Sequence, residues 1–163
     1  MPDLAVQTTM TNNPDVGRAG MPYDSSQFQD VVSCRAQEAI PFGAFVRIVG
    51  TDCELPDSSG EVTGSDGGVA LATQNKATQA GGYAAGDIVP VMRAGRVWVP
   101  AEELIAVGTQ PFIRFTTNAA KVQGGFAATA DTARAVQKPG VTVYRGVAAA
   151  GLMVVQLNGQ VGT

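Results

Sequence analysis

Residues 86–100 read GDIVPVMRAGRVWVP, and this stretch decides the fold class. Two runs rich in Val, Ile, Met and Trp flank Arg93-Ala94-Gly95-Arg96. Such an arrangement predicts a β-hairpin with Gly95 at the positive φ that tight turns require. Pro90 has no N–H to give a ladder, so the first run is expected at a sheet edge or a bulge. Alternation along the second run puts Trp98 on the face opposite Val97 and Val99. A lone Trp there, close to two arginines, serves either the core or a protein contact, because Trp and Arg are enriched at binding hot spots.

The same texture extends outward from this segment. After Asp30, short apolar runs are separated by Gly, Pro, Asn and Asp about every eight to twelve residues, the pattern of an all-β sandwich or barrel. Strands are predicted near 30–36, 44–49, 69–73, 87–92, 96–99, 103–107, 111–117, 132–137, 141–146 and 152–157. Helix signals are nearly absent. Val141 to Asn158 reads as two strands around an Ala-rich connection, closed by the turn signal Asn158-Gly159. Residues 52–68, with Asp52, Glu54, Asp57, Glu61 and Asp66, read as an exposed acidic loop. They lack the Asp-x-Asp-x-Asp-Gly spacing of a dedicated calcium loop. Residues 1–29 show no hydrophobic period and read as an extended N-terminal arm, leaving 30–163 as a single β domain.

Composition narrows the function. Charged residues make up 15% of the 163-residue chain and the net charge is −3, against roughly 25% charged in ordinary soluble domains. Lysines and arginines are few and scattered, which argues against a nucleic-acid partner. No apolar run approaches the ~20 residues of a membrane helix, and no basic stretch opens a secretory signal. Synthesis in a cytoplasm follows, and Cys34 and Cys53 are expected as reduced core thiols.

There is no histidine, so the Ser-His-Asp and Cys-His nucleophiles and the His-bearing zinc sites are closed. The phosphate loop, the dinucleotide fingerprint and the GxSxG elbow are also missing. Glu102 and Glu103 are adjacent carboxylates, but strand neighbours point to opposite faces, and they read as a solvated strand start. Neither an enzyme nor a cofactor is expected.

Several segments resemble a known family. Gly20-Met21-Pro22-Tyr23-Asp24, Val31-Val32-Ser33, Glu38-Ala39-Ile40-Pro41-Phe42-Gly43-Ala44-Phe45-Val46, Gly86 to Met92 and Gly95 to Val99 are similar to the structural cement, or capsid decoration, proteins of tailed bacteriophages. The resemblance runs from about residue 17 to 158. It implies an all-β protein, a β-barrel or jelly-roll-like sandwich with an extended N-terminal arm. Such a protein binds the outside of the virion capsid, bridges major capsid protein subunits and associates with itself, as a trimer in preference to a dimer. Arg93, Arg96 and Trp98 at the expected hairpin tip, and Met21, Tyr23 and Phe28 on the arm, are the interface candidates. A phage tail or head-completion component is the alternative within structural proteins. A small carbohydrate-binding or hydrolytic β domain is the alternative from another class.

Overall fold

The computed structural model describes residues 17–24, 29–64, 66–73 and 81–159. Its architecture is a closed barrel fused to a second layer of strands, with one long strand running through both.

Five strands close the barrel: β1 (Asp30–Ala36), β3 (Phe45–Val49), β4 (Asp52–Glu54), β5 (Gly67–Ala70) and the first half of β7 (Ile88–Ala101). β1 lies parallel to β4, whereas the β4–β3, β3–β5, β5–β7 and β7–β1 pairings are antiparallel. Closure leaves these strands with no free edge. Alternation along each strand sends Cys34, Ala36, Val46, Cys53, Ala70, Val89 and Val91 into the barrel interior. The two-stranded ribbon of β2 (Ile40–Pro41) and β6 (Gly82–Tyr83) adds Ile40 and Tyr83 to that core. Both cysteines are free and buried. Burial pushes the Cys53 thiol up to about 12 and raises Cys34 as well, which leaves both protonated and unreactive at neutral pH.

The opposite faces of β3, β5 and β7 carry Phe45, Val69 and Met92 into a second core. Its other side comes from β8 (Phe112–Arg114), β9 (Phe126–Ala127), β11 (Val141–Arg145) and β12 (Gly151–Asn158). The second half of β7 is fully paired with β12, from Ala94↔Asn158 to Ala101↔Gly151. β11 lies on β12, β9 runs parallel to β7 at Ala101↔Phe126, and β10 (Ala135–Gln137) completes the layer against β8. The wall formed by β3, β5 and β7 is therefore apolar on both faces, and this gives β7 its near-continuous hydrophobic sequence.

Several expectations are corrected. Residues 86–100 do not form a hairpin. β7 continues as one strand through Arg93–Arg96, and Gly95, at φ 128°, sits next to Ala94, where the β1 ladder ends on one edge and the β12 ladder begins on the other. Nor does Pro90 mark an edge, since β7 is the most connected strand. Leu71 donates its N–H to the Pro90 carbonyl, and the Leu71 carbonyl, which Pro90 cannot serve, accepts from the Tyr83 hydroxyl. Thirdly, residues 103–107 form only an isolated bridge, Ile105↔Val147, in place of a strand.

The acidic stretch 52–68 is no exposed loop. It holds β4, the start of β5 and the short helix α1 (Ser59–Gly64), whose Val62 is fully buried. Its carboxylates meet arginines: Asp52 with Arg35 at 3.0 Å, Glu54 and Glu61 with Arg47, and Asp66 with Arg93 at 3.0 Å. Glu102 and Glu103 are not solvated either. Glu102 receives Nε and Nη2 of the buried Arg114 at 2.6 and 2.7 Å, and Glu103 accepts from the backbone of Ala128 and Thr129 and from the Thr129 hydroxyl. Those bonds hold the Glu103 carboxyl below the usual carboxylate range.

Candidate interaction face

The outer face of β7, β12 and β11 collects most of the candidate residues. Alternation fixes the set on β7: Val97 and Val99 enter the second core, so Arg96 and Trp98 emerge on the other side. Register then supplies neighbours from β12, with Val154 opposite Trp98 and Gln156 opposite Arg96. On β11 the ladder shifts between Val143 and Arg145. This irregularity leaves Tyr144 between them, 41% exposed, above Arg96.

The segment Gly17–Asp24 pairs with the edge of β7 beside this face, as an added strand. Gly20 donates to the Trp98 carbonyl, Trp98 donates to Met21, and Tyr23 donates to Arg96, with Pro22 bridged to Val97. Gly17 sits on the indole so closely that a Cβ there would be 2.3 Å from the Trp98 ring. Trp98 is consequently 5% exposed, and its rotamer is held from both sides.

Around it the aromatic and cationic groups interlock. The Tyr23 ring lies 5.7 Å from Trp98 and 5.6 Å from Tyr144. The Arg96 guanidinium stacks 3.8 Å over Tyr144 while Nη1 meets Asp24 at 2.8 Å. The Arg145 guanidinium stands 5.4 Å from the Trp98 ring. Stacked guanidinium and aromatic planes are rigid and amphipathic, and they suit a contact that buries apolar area while pairing with carboxylates. Nothing in the cluster has the geometry of a nucleophile with its base, and among the described residues no group of three acidic or cysteine side chains is arranged to hold a metal.

The structure brings together Arg96, Trp98, Tyr23 and Met21, the last 45% exposed at the rim. Arg93 is elsewhere. Its guanidinium is spent between Asp30 at 2.8 Å and Asp66 at 3.0 Å, on the β1 side of Gly95. Phe28 lies outside the described residues. Tyr144, Arg145 and Asp24 were not singled out from sequence. Only the β11 register, with its irregularity, could have revealed the first two.

Fold and face together define a class: a closed β-barrel with a second β layer, whose outer face carries a cluster of aromatic rings and guanidinium groups. Residues 6–158 match the family model described as structural cement protein (E217 gp24/Pam3 gp6), and the chain belongs to that family. It is a virion structural protein associated with the phage capsid and located at its surface, and it is not an enzyme. Among solved structures, a chain from the capsid of Myoviridae phage XM1 superposes with a TM-score of 0.68, at 19% identity over 96% of both chains. That likeness establishes a shared fold. The head fiber gp8.5 N base of bacteriophage phi29 is more distant, with a TM-score of 0.46 and 15% identity over 83% of this chain and 100% of that one, and carries no weight here. No curated protein matches the sequence.

Proposed function

We propose that this protein cements the shell from outside by bridging neighbouring major capsid protein subunits, that it does so as a homo-oligomer with a trimer favoured, and that the β7–β12–β11 outer face makes the contact. The observation that carries this reading is the cluster of Tyr23, Arg96, Trp98 and Tyr144, with Tyr144 and Met21 still exposed. Buried aromatics and guanidinium groups surrounded by a rim that excludes water are the usual energetic centre of a protein interface. The protein acts by mass action. Binding the assembled shell and not its separated subunits adds about 2.7 kcal/mol per site at a hundredfold excess over Kd, and many sites multiply the effect.

The test is co-sedimentation with shells that lack the protein, comparing the natural chain with Tyr144→Ala. Loss of a central aromatic costs about 2 kcal/mol or more of binding, so retention should fall about thirtyfold while thermal unfolding of the free protein hardly moves. Equal retention of the two proteins would remove this face from the contact.

A further inference from the structure

We infer that Asn158 is a site of spontaneous deamidation, and that the carboxylate it gains stands on the β7–β12–β11 outer face and weakens the contact made there. The effect on the contact rests on the capsid-surface reading above, whereas the modification itself does not.

The chain holds one Asn-Gly pair, Asn158-Gly159, and one Asp-Gly pair, Asp66-Gly67. Both are open to the same chemistry. The glycine nitrogen, with no Cβ beside it to obstruct approach, attacks the side-chain carbonyl carbon of the residue before it and closes a five-membered succinimide. Closure turns the ψ of that preceding residue, so the fold decides which pair reacts.

At 66–67 the rotation is blocked. The Asp66 carbonyl accepts from the Ile48 N–H at 2.8 Å, and its carboxylate is held by Arg93 at 3.0 Å. Gly67 is paired with Arg47 inside the sheet, where a Cβ would lie 2.6 Å from the Val46 carbonyl oxygen. At 158–159 the rotation is open. Asn158 is exposed and forms the last pair of the β12 ladder, opposite Ala94. Its N–H donates to the Gly140 carbonyl at 3.0 Å, a bond on the far side of the torsion that turns. Gly159 lies beyond the ladder, exposed and at φ 62°.

The amide is also polarised for attack. Gln156 Nε2 donates to Asn158 Oδ1 at 3.1 Å, the oxygen on which negative charge develops as the ring closes. Hydroxide takes the Gly159 amide proton, the nitrogen bonds to Cγ of Asn158, and the Cγ–Nδ2 bond breaks to release ammonia. Water then opens the ring at either carbonyl, giving aspartate or isoaspartate. The net change replaces NH by O, with nothing oxidised or reduced.

The product reports to the outer face through existing bonds. Gln156 Oε1 accepts from Arg96 Nε at 3.3 Å, and Arg96 Nη1 meets Asp24 at 2.8 Å. A carboxylate at 158 stands two ladder positions from Arg96, about 7 Å. There it competes with a partner's carboxylate for the guanidinium.

Natural protein held for weeks in mildly alkaline buffer, then digested with trypsin, gives the first answer by mass spectrometry. The peptide that follows Arg145 should gain the mass of O over NH and separate into aspartyl and isoaspartyl forms, while Asp66 isomerises only in urea. Gln156→Leu should slow conversion about fivefold, the worth of one hydrogen bond. An Asn158 that stays intact in the folded chain while the urea-unfolded chain converts would overturn the site. Fresh Asn158→Asp protein should be retained on shells about two- to fivefold less than the natural chain, and aged Asn158→Gln should keep its retention. Equal retention of Asn158→Asp and the natural chain would overturn the effect on the contact. Failure of the fresh natural chain to sediment with shells would instead overturn the capsid-surface reading and leave the modification assigned.

Discussion

Replacing Trp98 by Ala separates a side chain that holds the fold from one that waits for a partner. Trp98 is 5% exposed within a single chain, covered below by Val154 across the ladder and above by Gly17 and Tyr23. A buried Trp withdraws up to about 250 Å² from water, which at ~25 cal/mol per Å² sets an upper bound near 6 kcal/mol. Measured Trp-to-Ala losses in cores run to about 3–5 kcal/mol. For a chain of this size each kcal/mol moves Tm by about 2–4 °C, so Trp98→Ala should lower Tm by roughly 6–20 °C in the free protein. Differential scanning calorimetry, with urea unfolding as a second probe, measures it. Gly17→Ala is the companion variant: its Cβ would meet the indole at 2.3 Å, so it should lift the arm and quench or shift Trp98 fluorescence with a Tm change of a few degrees at most. A Trp98→Ala protein that melts within 2 °C or so of the natural chain would refute the claim that the arm and β12 enclose this residue.

Three further outcomes follow from the packing. Arg114→Met should cost about 3–5 kcal/mol in urea unfolding, because it leaves Glu102 buried with only Lys121 at 3.6 Å, and an added Glu102→Met should recover much of the loss; a neutral single variant contradicts the buried pair. Gly95→Ala should cost about 1–3 kcal/mol by forcing a side chain into φ 128° within β7, and an unchanged urea midpoint would contradict a positive φ at this position of the strand. Cys34 and Cys53 should resist a water-soluble thiol reagent in the folded protein and react fully in denaturant, since both lie inside the barrel and burial raises both thiols; rapid labelling of the native chain would place a thiol at the surface.

How far the sequence could be read depended on the range of the interactions involved. β1 was legible to the residue, because Val32, Cys34 and Ala36 alternate with Val31, Ser33 and Arg35, and β11 and β12 were legible as two strands ending at Asn158-Gly159. β2 and β6, two residues each, are too short for any period. α1 offers one buried apolar residue, Val62, so nothing in its pattern announces a helix. β7 was misread as a hairpin because a glycine at positive φ serves a turn and the interior of a continuous strand alike. The acidic stretch looked solvated because a linear pattern does not show which arginines its strands bring alongside: Arg93, for instance, joins Asp66, 27 positions away, to Asp30, 63 positions away. The candidate face was half legible. Alternation placed Arg96 and Trp98 together, but Tyr144 and Arg145 join them only through the register shift in β11.

Electron cryomicroscopy of shells incubated with the purified protein tests the central claim most directly. The account predicts barrel-shaped density repeated over the outer surface, seated where adjacent major capsid subunits meet, with the β7–β12–β11 outer face turned to the contact. Density confined to a single vertex or to the tail, or a contact made by another face of the barrel, would contradict it.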